Sequence, residues 1–99
     1  MAYRIKVNKK FKIDSQKVYQ YLVEQWSFKV ADEFTEHLYS KIYKLPENPF
    51  VGAPAAGHKN VRKIIITKHN KLYYRVKGKT ITILSLFPSK QNPKRNKYE

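Results

Sequence analysis

The sequence predicts an α+β domain of order β-α-α-β-β-β, a helical hairpin packed on one face of an antiparallel sheet. Three observations predict it. Apolar residues recur at spacings of three and four through Ala31, Phe34, Leu38, Ile42 and Leu45, the period of one helix face. Leu72, Tyr74 and Val76 alternate with Tyr73, Arg75 and Lys77, the period of a strand. The chain has 99 residues, the size of a single domain, so helix and strands must share one core.

Tyr3, Ile5 and Val7 alternate with Arg4 and Lys6, which predicts a short half-buried strand. Asn8 to Phe11 reads as a loop. Asp14 or Ser15 can cap a first helix by accepting a free amide proton of its opening turn. Val18, Tyr21, Leu22, Gln25 and Trp26 then share a helix face. Ser27 is a second candidate N-cap, and the helix after it ends at Leu45-Pro46, because proline cannot donate the next helical hydrogen bond. The short connection at Trp26-Ser27 predicts an antiparallel helical hairpin. Tyr19, Tyr21, Trp26, Phe28, Phe34, Tyr39 and Tyr43 are expected mostly in the core or the hairpin packing.

Residues 46–60 hold Pro46, Pro49, Gly52, Pro54 and Gly57 and form a connecting loop. Three strand-like runs follow: Val61 to Thr67, Lys71 to Lys77 and Thr80 to Phe87. His69-Asn70 and Gly78 mark tight turns between them, which predicts an antiparallel meander. The last run is apolar at Ile81, Ile83, Leu84 and Leu86. That broken alternation predicts a central strand or a bulge near Leu84. The domain spans 1–99, with a basic C-terminal tail over 88–99.

Charge narrows the function. Lys and Arg number 21 against 7 Asp and Glu, a formal net charge of +14. A chain this basic repels itself when compact, and the usual compensation is a polyanionic partner. There is no cysteine, hence neither a disulfide framework nor a thiolate metal site. No apolar stretch approaches the length that spans a bilayer, and Met1 to Val7 shows no long apolar leader segment. A cytoplasmic protein with no membrane partner is expected. The three glycines, Gly52, Gly57 and Gly78, lack the spacing of a phosphate-binding loop. His37, His58 and His69 show no metal-ligand spacing, so no cofactor and no metal are expected; of the three, His58 is the candidate acid–base group. The few carboxylates are mostly helical, which argues against a two-carboxylate hydrolase.

Several runs, in order, carry a family resemblance. Phe34-Thr35-Glu36-His37-Leu38 through Leu45-Pro46-Glu47-Asn48-Pro49, Val61-Arg62-Lys63, Leu72-Tyr73-Tyr74-Arg75-Val76, Ile81 to Phe87 and Gln91-Asn92-Pro93 together resemble the RelE/ParE superfamily of toxins from type II toxin–antitoxin systems, the plasmid stabilisation proteins among them. The resemblance covers nearly the whole chain. It implies a cognate antitoxin, expected to be acidic and partly disordered alone, because burying cations without counter-charges is costly. It also implies one of two activities: cleavage of mRNA on the ribosome, or poisoning of DNA gyrase without catalysis.

Metal-free RNA cleavage needs a base for the 2′-hydroxyl, cations for the phosphorane charge and an acid for the leaving oxygen. Carried over from the RNA-cleaving branch, the catalytic positions fall on Arg62, Lys71, Lys90 and Tyr98, the last slightly out of register. Lys63, Lys68, Arg75, Lys94 and Arg95 are the candidate nucleic-acid contacts, with one of Tyr73 and Tyr74 on the open sheet face to stack a base. The chain departs from that branch at Lys71 and Lys90, where the cleaving enzymes tend to use arginine, and at Ile64, where they have a second lysine. Lysine cannot clamp a phosphate bidentately as arginine does. The expectation is a toxin that cleaves mRNA on the ribosome. The alternatives are a ParE-like inhibitor of gyrase and a non-toxic basic nucleic-acid-binding protein. The sequence leaves the oligomeric state open.

Overall fold

A computed structural model describes residues 3–68 and 70–88. The elements run β1 (Arg4–Val7), α1 (Lys9–Gln25), α2 (Phe28–Lys44), a 3-10 turn (Leu45–Glu47), β2 (Ala53–Pro54), β3 (Val61–Thr67), β4 (Asn70–Lys77) and β5 (Thr80–Pro88). Both helices pack on one face of a five-stranded sheet of order β1-β5-β4-β3-β2. The expected fold class is observed. The meander β3-β4-β5 is antiparallel throughout. β1 joins it in parallel with β5, with Ile5 opposite Ile81 and Val7 opposite Ile83, so the complete sheet is mixed. β2, a two-residue strand on β3 within the proline-glycine segment, has no sequence signal of its own.

The second helix forms as its periodicity dictates. Ser27 caps it, the side-chain oxygen accepting from Val30 N–H at 3.1 Å; such a cap contributes about 1 kcal/mol. Ala31, Phe34, Leu38 and Ile42 are buried, and the proline at 46 holds the chain to one further 3-10 turn. The first helix corrects the expectation. It starts at Lys9, with Asn8 as an N-cap that makes no side-chain cap bond. Phe11, fully buried, anchors that opening turn against the sheet and outweighs the lysine-rich run around it. Asp14 therefore lies inside the helix. Its carboxylate accepts from Leu86 N–H at 3.2 Å and from the Lys10 ammonium at 3.0 Å. The antiparallel hairpin is locked across its width by the Tyr19 hydroxyl, which donates to Asp32 at 2.8 Å.

The main core joins Phe11, Val18, Phe34, Leu38, Ile42 and Leu45 to the helix-side residues of the sheet, Leu72, Tyr74, Val76, Ile81, Ile83 and Leu86. On the opposite face lies a smaller cluster of Ala55, Val61, Tyr73 and Leu84. The bulge expected near Leu84 explains how β5 serves both. Tyr73 pairs with Ser85 and Tyr74 with Ile83, so Leu84 is the extra residue. The strand's parity slips there: Leu84 turns into the second cluster and Leu86 returns to the first.

Four aromatics depart from the expected burial. Tyr21, Trp26, Phe28 and Tyr43 are exposed, Trp26 at 72%. Tyr73 departs the other way. It lies on the helix-free face but is fully buried, so no base can stack on its ring.

Candidate functional site

Cross-strand neighbours Arg62 and Tyr74 share the helix-side face of the sheet, at the end nearest the segment between the 3-10 turn and β2. The Arg62 guanidinium donates to Gly52 O at 2.6 Å and Phe50 O at 3.2 Å, and it lies over the Phe50 ring, 5.1 Å from its centre. The Tyr74 hydroxyl donates to Pro49 O at 2.8 Å and accepts from Gly52 N–H at 3.0 Å. Residues 49–52 have little regular structure to satisfy their backbone groups, and these two side chains supply the partners. Glycine is needed at 52 for space. A Cβ there would stand 2.7 Å from Lys63 O and 2.9 Å from the Tyr74 hydroxyl. Burial pushes the Tyr74 phenol above its ordinary pKa, against the hydrogen bond from Gly52 and the positive charge of Arg62, which lower it.

The sequence-derived catalytic residues do not all converge. Arg62 pairs with Tyr74, and Lys71 pairs with Ile65 three rungs away. Strand alternation puts Arg62 on the helix side of the sheet and Lys71 on the other. Lys63 and Arg75 share the face of Lys71, and Lys68 lies in the turn after β3. Lys90, Lys94, Arg95 and Tyr98 lie outside the described residues. His37 is bound to Ile66 O at 2.9 Å, tying α2 to β3. His58 lies beside Arg62 in a small pocket with Phe50, Pro54 and Asn60; His69 lies outside the described residues. No group of His, Asp or Glu among the described residues could hold a metal ion.

A larger feature has no counterpart in the sequence expectations. A cleft of about 750 Å³ opens between the helical hairpin and the far ends of the central strands. Val18, Tyr21, Leu22, Trp26, Val30 and Phe34 form its apolar wall. The residues at 18, 21, 22 and 26 are one helix stripe, which periodicity assigns to the core. Nothing in sequence periodicity says that a stripe outruns the sheet it packs on. No described helix is long and apolar enough to cross a membrane.

Charge is divided unevenly along the chain. Segment 9–47, the hairpin and its exit, holds six of the seven carboxylates and seven of the 21 cations. It is nearly neutral. The remaining fourteen cations share the rest of the chain with Glu99 alone.

A family model described as the ParE toxin of the type II toxin–antitoxin system parDE matches residues 5–93. No curated protein sequence matches significantly. Among solved structures, the chromosomal ParDE toxin–antitoxin system of P. aeruginosa superposes with a TM-score of 0.76 at 21% identity, covering 88% of this chain and 96% of that one. The E. coli DinJ-YafQ toxin–antitoxin complex gives 0.62 at 13% identity, covering 89% and 93%. A double mutant of the E. coli toxin RelE in the free state gives 0.57 at 18%, covering 91% and 86%. At such identities these structures are similar in fold.

Proposed function

Because the chain belongs to the ParE toxin family of type II toxin–antitoxin systems, we propose that it arrests growth by binding DNA gyrase, without cleaving RNA, and that a cognate antitoxin neutralises it. The observation that carries this reading is the engagement of Arg62. Cleavage requires cations converging on one phosphate. Arg62, the one arginine at the implied catalytic positions, is committed to the carbonyls of Phe50 and Gly52. It also faces away from Lys71. The lysines at 71 and 90 and the isoleucine at 64 weaken a phosphate clamp further.

The apolar cleft is the seat for an antitoxin segment. Its wall offers two rows of helix side chains at the spacing an amphipathic segment presents, and the solved relatives include toxin–antitoxin assemblies.

Pulse labelling after induced expression in a bacterium tests the target. Thymidine and amino-acid incorporation are followed in parallel through the first minutes. An early fall in thymidine incorporation is expected. An early fall in amino-acid incorporation alone, relieved by Lys71→Ala, would replace this reading with mRNA cleavage.

A further inference from the structure

The helix-free face of the sheet carries a second cationic array, distinct from the positions implied for catalysis. Arg4 pairs with Thr80, and Thr80 with Lys77; Lys6 pairs with Thr82, and Thr82 with Arg75. Ile5, Ile81 and Val76 between them all pack into the main core. Alternation therefore turns Arg4, Lys6, Arg75 and Lys77 to the opposite face. The result is a two-by-two grid of cations around a central column of threonines. Strand spacing makes it about 10 Å across and about 7 Å along the strands. All four cations are exposed. The nearly neutral hairpin lies on the other side of the sheet, so no described carboxylate belongs to this layer.

We propose that this grid binds the phosphodiester backbone of a nucleic acid. The inference does not depend on whether gyrase or mRNA is the target. Four like charges held on rigid strands repel one another, and an anionic chain that bridges two rows removes that repulsion. The threonine hydroxyls between the rows supply donors to phosphate oxygens. No aromatic or amide side chain stands in the grid, so recognition is of backbone and not of sequence. The charge is polarised rather than uniform, which separates a built surface from a merely basic protein. Bound there, the chain presents its cleft outward, leaving an antitoxin free to engage it at the same time.

The test is fluorescence anisotropy of the full chain with a labelled 20-base-pair DNA duplex and, separately, a single-stranded RNA, across a salt series. The variant Arg4→Ala/Lys6→Ala/Arg75→Ala/Lys77→Ala is compared with Lys9→Ala/Lys12→Ala/Lys17→Ala/Lys29→Ala, which removes the same charge from the helices. Circular dichroism confirms that both fold. The grid variant is expected to lose at least about tenfold in affinity and to flatten the log–log salt slope by about 3, since each lost phosphate contact removes about 0.9 for duplex DNA and about 0.7 for a single strand. The helix variant should keep a slope near that of the parent. The two arms tell which nucleic acid is held. Equal losses in both variants would mean diffuse attraction to net charge and would overturn the grid. So would unchanged nucleic-acid binding in a grid variant that no longer bound a poly-glutamate peptide, which would make the surface a seat for an acidic protein.

Discussion

Arg62 and Tyr74 face each other across β3 and β4 and hold the same short loop, one through the carbonyls of Phe50 and Gly52, the other through the carbonyl of Pro49 and the amide of Gly52. The pair works as a clamp on the residues that lead into β2. The cation that the family resemblance implies for catalysis also fastens this loop.

Arg62→Ala should therefore lower stability by about 1–2 kcal/mol, the scale of hydrogen bonds made by a charged donor in a partly exposed site. Urea unfolding measures it. Arg62→Lys should recover only part of the loss, because an ammonium lacks the planar guanidinium that lies over the Phe50 ring. Unchanged stability in Arg62→Ala would release the residue for catalysis.

Gly52→Ala should cost about 1–3 kcal/mol, the usual penalty of overpacking. The new methyl collides with Lys63 O and the Tyr74 hydroxyl and breaks the bond between Tyr74 and the Gly52 amide. Gly57 and Gly78 have open space where a Cβ would stand, but their positive φ of 74° and 60° strains an alanine there instead. Thermal melts of the three alanine variants should rank Gly52→Ala lowest.

Alkaline pH tests the buried phenol. The pKa of Tyr74 is raised in the folded state, so the fold favours the neutral form over the unfolded chain. That contribution is complete below the ordinary phenol value of about 10 and is lost as pH climbs from there through the folded value. Stability should fall above a pH of about 10. In Tyr74→Phe, already weakened by about 1–3 kcal/mol because the Gly52 amide loses its acceptor, the decline should be shallower. Parallel slopes in the two proteins would assign the decline to other groups.

The cleft gives the fourth test. Trp26 is 72% exposed, so Trp26→Ala should change stability by less than about 0.5 kcal/mol. If the antitoxin sits in the cleft, the same change should weaken its binding by about 2 kcal/mol or more, the scale of a buried tryptophan anchor (roughly thirtyfold). Titration calorimetry against the co-encoded antitoxin reads it. Intact affinity would move the seat elsewhere.

Much of the architecture is legible in the sequence because it is written in local periods. The 31-34-38-42 stripe, the Ser27 cap, the meander and even the extra residue at Leu84 all follow from spacing within a single element. What sequence misses is set between elements. The start of α1 depends on Phe11 finding the sheet, and the parallel entry of β1 depends on its pairing with the last strand. The burial of Tyr73 depends on a second cluster assembled from Ala55, Val61 and Leu84. Arg62 illustrates the same limit at the site. Its place on a strand follows from local pattern, yet its guanidinium is held by backbone carbonyls ten and twelve residues earlier, which no side-chain pattern announces. The cleft is hidden because an apolar stripe reads as core whether or not something lies over it.

The parallel pairing of β1 with β5 has a temporal consequence. Its partners, Arg4 to Val7 and Thr80 to Ile83, stand more than seventy residues apart. A ribosome delivers the first strand more than seventy residues before the strand it must lie against. Until then Arg4 and Lys6 have no Lys77 or Arg75 beside them, and the sheet's edge is unfinished. Non-local pairings of this kind form slowly. The emerging polypeptide thus has its helical hairpin, and the wall of the cleft, well before its cationic face, so what recognises the hairpin can reach the molecule before the molecule is whole.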